Sequence, residues 1–346
     1  MNAAEAEIPK LAVIGTGALG KEHARICAEL SKAGEAIFVG VYDINKALAD
    51  KIAANYGVKV FGSVSEAIDE CDAANIVTPT ITHYEIAAQF LKNKRHVFVE
   101  KPMTDSVSKA IEMVQLAREN NCVLQVGHVE RFNPVYSFLQ KYVKTPKFIE
   151  AHRLSPYPAR STDIGVVLDL MIHDLDVVLA FVNSEIESFD AVGIPVLSAR
   201  EDIANVRIRF KNGCIANLTA SRISPERMRK IRVFSGGETP CYVSLDYRAQ
   251  EGFLYRLARE NEPASSIIEK IFSSKSGTIV SEFAGKRIVR EPVPIEKGEP
   301  LKLELMHFIH CVKEKQKPIV SGESALQTLE LAIEITKKIN TNFAAE

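Results

Sequence analysis

The apolar residues of this chain fall into two rhythms, and the change comes near residue 146. In the first stretch, short continuous apolar runs alternate with segments of helical spacing. The runs are Leu11–Ile14, Ala36–Tyr42, Val58–Phe61, Ala73–Thr78, His96–Glu100 and Cys122–Gly127. Between them the spacing predicts helices over about 44–55, 84–93 and 106–120. A brief helix is opened by Ser63, with Glu66 at capping-box distance. Unbroken apolar runs suit strands buried on both faces, and their alternation with helices predicts βαβ units around a parallel, doubly wound sheet. The first run leads into Gly15-Thr16-Gly17-Ala18-Leu19-Gly20. A helical stripe of Leu19, Ile26, Cys27 and Leu30 follows at once.

Beyond residue 146 the pattern predicts strands at Lys147–Arg153, Glu187–Pro195, Ile203–Phe210, Cys214–Arg222, Met228–Ser235 and Tyr242–Tyr247, with one helix over about 166–182. Apolar residues alternate with Arg207 and Arg209, as in a sheet buried on one side, and Lys211-Asn212-Gly213 is a hairpin signal. Residues 261–292 are polar, broken by Gly and Ser, and read as an insertion or long loop. Helices near 300–314 and 323–340 close the chain. The fold class is therefore α/β: a Rossmann domain over 1–127, then an α+β domain over 128–346 with a large, open, mainly antiparallel sheet. The C-terminal helices are free to pack back on the first domain. In 214–222, Cys214, Ala216, Leu218 and Ala220 share one face, and Ile215, Asn217, Thr219 and Ser221 the other. With few helices to cover both faces, the open one is expected to pair with a second copy as a homodimer or homotetramer.

Composition narrows the classes. A length of 346 residues suits two domains. A net charge of −1 with 25% charged residues offers no basic footprint for nucleic acid. No apolar run has membrane length, and the N-terminus lacks a basic segment followed by an apolar core, so a cytoplasmic protein is expected. The six cysteines are scattered, with neither CxxC nor metal spacing, as for reduced thiols.

The glycine turn has a specific chemistry. Gly15 permits a tight turn, Gly17 lets the backbone approach a pyrophosphate, and Gly20 lets the helix pack close to the strand. The helix N-terminus attracts phosphate. The second run ends at Asp43, 23 residues after Gly20, where a carboxylate would accept bonds from the adenosine ribose and repel a 2′-phosphate. The alternative is that Asp43 caps the following helix. Ligands of such a sheet bind beyond the strand ends, where Thr78-Pro79, Glu100-Lys101-Pro102 and Gly127-His128 stand. Lys101 is a candidate electrophile or proton donor there; otherwise it is a surface lysine.

The second domain offers Asp169 and His173, i and i+4 on one helix. A His beside a carboxylate is a natural general base; the bland alternative is a structural pair at a domain interface. Asp174 and Asp176 lack a companion His or Cys at ligand spacing. His307 and His310 lie among packing residues, so no metal is expected. His128, Arg131, Asn133, Arg153, Tyr157 and Arg160 carry more cationic hydrogen-bonding capacity than a neutral sugar needs. They suit a phosphate-bearing substrate, unless the arginines simply pair with Glu130, Glu150 and Asp163.

Together, GTGALG, Asp43, VTPTITH at 77–83, EKP at 100–102 and DLMIHD at 169–174 resemble the Gfo/Idh/MocA oxidoreductases over nearly the whole chain. The resemblance implies NAD and hydride transfer at a sugar or cyclitol carbon, with no metal. It matches the catalytic lysine to Lys101 and the Asp and His to Asp169 and His173, which also contacts substrate. The cofactor set it implies is Gly15, Thr16, Gly17, Ala18, Leu19, Gly20, Asp43, Thr78, Pro79, His83, Glu100 and Lys101. GHVERFNP with LDLMIHDLD is similar to the branch that oxidises C3 of UDP-N-acetylglucosamine and supplies an aminotransferase in lipid A synthesis. Inositol or free-sugar dehydrogenation, and a non-catalytic NAD sensor, are the competing expectations.

Overall fold

The computed structural model describes residues 7–157, 164–237, 240–259, 278–283 and 285–343. The chain divides into two compact units: Met1–Phe132 with Glu299–Glu330, and Asn133–Gly298 with Leu331–Glu346.

The first unit opens with β1 (Lys10–Ile14), α1 (Gly20–Lys32), β2 (Ile37–Tyr42), α2 (Lys46–Tyr56) and β3 (Lys59–Val60). It continues through α3 (Val64–Glu70), β4 (Ala73–Ile76), α4 (His83–Lys92), β5 (His96–Glu100), α5 (Val107–Glu119) and β6 (Leu124–Gly127). The six strands form one parallel sheet in the order β3-β2-β1-β4-β5-β6. The order reverses between β1 and β4, which puts the ligand crevice at their carboxyl ends. β4 is buried throughout, and its one polar residue, Asn75, donates to Cys27 Sγ at 3.2 Å.

The second unit opens with α6 (Pro134–Tyr142) and β7 (Pro146–Leu154). A π-helical turn at Val167–Met171 then runs into α7 (Ile172–Val182). The remaining strands are β8 (Ile186–Ile194), β9 (Ile203–Phe210), β10 (Ile215–Ser221), β11 (Met228–Ser235), β12 (Cys241–Asp246), β13 (Glu251–Leu257), β14 (Thr278–Phe283) and β15 (Lys286–Pro292). Among the described residues they form a nine-stranded sheet, β14-β15-β13-β12-β11-β7-β10-β9-β8, antiparallel except for the β7–β10 pair. One face carries the core, in which Ile149, Val206, Leu218 and Val233 meet Phe138 and Leu139 of α6 and Leu175 and Val178 of α7. On the other face a row of cross-strand aromatics runs Phe148–Phe234–Tyr242–Tyr255, with ring centroids 5.8, 4.6 and 5.2 Å apart.

Two helices close the chain, α8 (Pro300–Glu314) and α9 (Gly322–Phe343). Leu305, Phe308, Ile309 and Val312 of α8 share a core with Leu11, Val13 and Phe98, so α8 belongs to the first unit. The pattern changes near residue 146 and the domain boundary is expected at 127/128, whereas the compact units divide after Phe132.

Two expectations need correction. The stretch 261–292 is not simply a loop: β14 and β15 form a hairpin turning at Gly285, whose φ of 74° suits glycine. Arg287, Arg290 and Glu291 masked the strand pattern, because at this sheet edge Val289 is the one residue of β15 that is fully buried. Residues 261–277 of that expected loop lie outside the described residues. The sequence pattern places no helix at 134–142, yet α6 forms there, announced by Asn133-Pro134. Asn133 caps it by accepting the Val135 N–H at 3.1 Å, and Pro134 fills a first-turn position that needs no donor.

Candidate active site

At the carboxyl end of β1 the chain turns at Gly15, whose φ is 94°. A Cβ there would come 2.7 Å from the Val77 carbonyl oxygen, and one on Gly20 would come 1.9 Å from that of Gly15. Both positions therefore exclude a side chain. A Cβ on Gly17 would meet nothing within 4 Å, and Gly17, Ala18 and Leu19 are exposed where α1 begins. Open backbone at a helix N-terminus is the environment a pyrophosphate requires. Asp43, just beyond β2, is joined to this turn. Its Oδ2 accepts the Thr16 N–H at 2.6 Å and the Thr16 hydroxyl at 2.9 Å, and its Oδ1 accepts the Asn45 N–H at 2.8 Å. Asn45, not Asp43, is the cap residue of α2. The described residues thus fit a bound dinucleotide.

Two buried histidines surround the neighbouring loops. His83 has one ring nitrogen 2.8 Å from the Thr78 carbonyl oxygen and the other 2.9 Å from that of Pro102. Burial lowers its pKa, against the opposing pull of those carbonyls and of Glu100. His23, from α1, lies 2.9 Å from Glu100 Oε1, and Glu100 Oε2 accepts the Lys101 N–H at 3.2 Å. Both His83 and Glu100 were expected at the cofactor; the structure turns their polar atoms toward the protein. The Thr82 hydroxyl donates to the Pro79 carbonyl at 2.8 Å, bracing the turn after β4. Lys101 is half-buried and precedes Pro102 through a cis peptide bond. His128 is buried after β6, and Arg131 is half-buried in the single turn Val129–Phe132.

In the second unit Asp169 lies in the π-helical turn and His173 in the first turn of α7, both half-buried. An expected regular helix is thus wound wider at Asp169, a form common at functional sites. Glu201 holds its start: its carbonyl accepts the Val166 N–H at 2.8 Å, and its buried carboxylate faces Val167 N. A Cβ on Gly165 would overlap that carboxylate at 1.9 Å. Burial pushes the Glu201 pKa up, and the nearby N–H groups and Arg222 only partly oppose it.

Next to Glu201, Asp202 and Arg222 form a fully buried pair at 2.8 Å. Asp202 Oδ2 also accepts the N–H groups of Val196, Leu197 and Ser198, and Arg222 donates to the Ile164 carbonyl at 2.7 Å. Burial pushes the Asp202 carboxyl up, but the backbone N–H groups and the guanidinium outweigh it and hold it well below the carboxylate range.

Arg153, expected to meet substrate phosphate, is 2% exposed, with its fork filled by Asp174 through two 2.9 Å bonds. Asn133 is occupied in capping α6 and in donating to the Tyr247 carbonyl at 3.1 Å. Glu150 meets Arg232 rather than Arg153. Tyr157 is 37% exposed, with the Arg222 guanidinium 5.8 Å from its ring centre. Arg160 and Asp163 lie outside the described residues. His307 accepts the Ile319 N–H at 3.0 Å, and no cluster of three or more metal-binding side chains occurs among the described residues. No helix among them is long and apolar enough to cross a membrane.

A doubly wound dinucleotide-binding unit, followed in the same chain by a large one-sided sheet whose covering helix carries Asp169 and His173, defines a two-domain dehydrogenase. Residues 10–128 match the model of the NAD-binding Rossmann oxidoreductase family, and 145–237 match the GFO/IDH/MocA C-terminal domain. The chain belongs to the GFO/IDH/MocA oxidoreductase family and is an NAD-dependent dehydrogenase acting on CH–OH groups. It is similar to UDP-N-acetylglucosamine 3-dehydrogenase of Acidithiobacillus ferrooxidans, at 32% identity over 93% of this chain and 95% of that one. A solved structure of that enzyme aligns with a TM-score of 0.84 and 30% identity, covering 97% of this chain and 98% of that one. The chain is also 25% identical to scyllo-inositol 2-dehydrogenase (NAD(+)) of Bacillus subtilis, over 97% and 96% of the two chains.

Proposed function

We propose that this enzyme oxidises C3 of UDP-N-acetylglucosamine to the 3-keto sugar nucleotide. The observation that carries this reading is the 32% identity, spread over nearly both full lengths, to a UDP-N-acetylglucosamine 3-dehydrogenase. The inositol dehydrogenase relative favours a second reading, oxidation of a cyclitol or free sugar. NADH formation across a panel of UDP-sugars, inositols and free sugars separates the two.

In the proposed chemistry, His173 accepts the proton of the substrate hydroxyl. Lys101 donates a hydrogen bond to the same oxygen and stabilises its developing negative charge. Asp169 orients His173 or the sugar. Bound NAD supplies the acceptor for the hydride that leaves the carbinol carbon. The Gly15–Gly20 turn would hold its pyrophosphate, Asp43 would accept bonds from the adenosine ribose and disfavour a 2′-phosphate, and Thr78-Pro79 would lie on the nicotinamide side. Arg131 and Tyr157 remain candidates for the nucleotide portion. We assign Arg153 to holding α7 instead, because its donors already face Asp174.

We further propose a homo-oligomer built on the aromatic face of the second sheet, where Phe234 is 41% exposed. A monomeric mass by light scattering would contradict it. The six unpaired cysteines fit a reducing compartment, and we assign the enzyme to the cytoplasm. The keto product suits a transaminase, which would install an amine at C3 for a lipid A precursor.

A further inference from the structure

We propose that His23 and His83 are positioning residues for Lys101, clamping the chain on either side of it: His23 through the Glu100 carboxylate and His83 through the Pro102 carbonyl. This rests on the catalytic reading of Lys101 given above.

A lysine ammonium rides on a flexible four-carbon stem, so its place depends on how firmly its backbone is fixed. On the N-terminal side, Glu100 ends β5 and is buried. One carboxylate oxygen faces His23 Nε2 at 2.9 Å and the other accepts the Lys101 N–H. β6 closes the remaining side, since a Cβ on Gly127 would come 2.8 Å from Glu100 Oε2. The His23 ring is itself fixed against Phe98, with centroids 5.4 Å apart. Loss of the His23 donor would leave Glu100 buried with a partner missing, and the carboxylate would turn.

On the C-terminal side, His83 Nδ1 stands 2.9 Å from the Pro102 oxygen and Nε2 stands 2.8 Å from the Thr78 oxygen. A carbonyl only accepts, so each contact needs an N–H, and a neutral imidazole has one. A proton on Nδ1 ties the segment carrying Lys101 to the start of α4. His23 and His83 are 0% and 1% exposed, so neither can exchange a proton with a substrate directly.

The geometry makes an asymmetric prediction. An asparagine places its amide nitrogen where histidine Nδ1 stands, and a glutamine places its own where Nε2 stands. At position 23 glutamine therefore keeps the donor to Glu100 and asparagine loses it. At position 83 asparagine keeps the donor to Pro102 and glutamine loses it. With UDP-N-acetylglucosamine and NAD, His23→Gln and His83→Asn should retain most of the turnover. His23→Asn and His83→Gln should lose about 10²-fold in kcat, the scale of a misplacement of about 1 Å. NADH affinity, read by fluorescence, should match within each pair, while Tm should be lower in the two losing variants, above all in His23→Asn, which leaves the buried Glu100 carboxylate a partner short. A second readout needs no substrate: the pH profile of Lys101 labelling by an amine reagent, followed by peptide mass spectrometry. It should shift in the two losing variants and stay as in the wild type in the other two. Equal kcat and equal labelling profiles in all four variants, or the reverse rescue order, would overturn the proposal. Full turnover in Lys101→Ala would instead sink the catalytic reading, while the labelling profile would still decide whether the histidines place Lys101.

Discussion

Lys101 and His173 are held by different physics. Lys101 sits at the end of a parallel sheet, where strand topology already gathers the loops, and single hydrogen bonds from buried imidazoles refine the result. The helix that carries His173 lies on one face of an antiparallel sheet. It is pinned by buried ion pairs, one from Arg153 of β7 to Asp174 in its first turn and one between Arg222 and Asp202 near its start. Topology does in the first unit what charge does in the second. The two regions should therefore fail differently when mutated or acidified.

The largest expected effect is on catalysis and falls on both regions alike. Lys101→Ala and His173→Ala should each keep NADH binding and lose ~10²–10⁴-fold in kcat. Near wild-type turnover in either variant would remove that residue from the chemistry.

Stability separates the regions next. Arg222→Met leaves the fully buried Asp202 charge without its cation and should cost about 3–5 kcal/mol in chemical denaturation. His23→Gln, which keeps its hydrogen bond, should cost far less. Similar losses in the two variants would erase the contrast.

The smallest effect is on pH dependence. Burial holds the pKa values of His83, His96 and His307 in the first unit below the ordinary imidazole value. The folded unit then binds fewer protons than the unfolded chain, so their contribution is complete above about pH 6.5 and is lost as pH falls through the folded values. Asp202 in the second unit is also depressed, but from the carboxylate range, so its contribution is lost only below about pH 4. Glu201 runs the other way: its raised pKa makes its contribution complete below about pH 4.5 and lost as pH rises through the folded value. Hydrogen exchange at pH 7 and pH 5 should show protection falling more in the first unit than in the second. Equal losses would show that the histidines do not set the acid sensitivity.

The same contrast explains what could be read from the sequence. The glycine turn, Asp43, Glu100-Lys101-Pro102 and the run from Asp169 to His173 are short local patterns, legible because strand, turn and helix follow one another in the chain. The ion pairs were not legible. Asp202 meets Arg222 across the β9–β10 hairpin region, and Arg153 meets Asp174 only once β7 packs under α7. A guanidinium fork fits carboxylate and phosphate equally well, so the sequence favoured a substrate for Arg153 where the fold supplies an aspartate. His23 lay hidden in a helical stripe. Its proximity to the glycine turn was visible, but its partner lies 77 residues away.

The account's central claim is dehydrogenation of a sugar nucleotide, and its most direct test is NADH formation by the purified enzyme. The assay would present UDP-N-acetylglucosamine, myo-inositol, scyllo-inositol and glucose separately. An aminotransferase and glutamate would be added to draw off the keto sugar. The account predicts NADH with UDP-N-acetylglucosamine and little with the neutral rings. NADH with an inositol or with glucose, and none with any UDP-sugar, would contradict it.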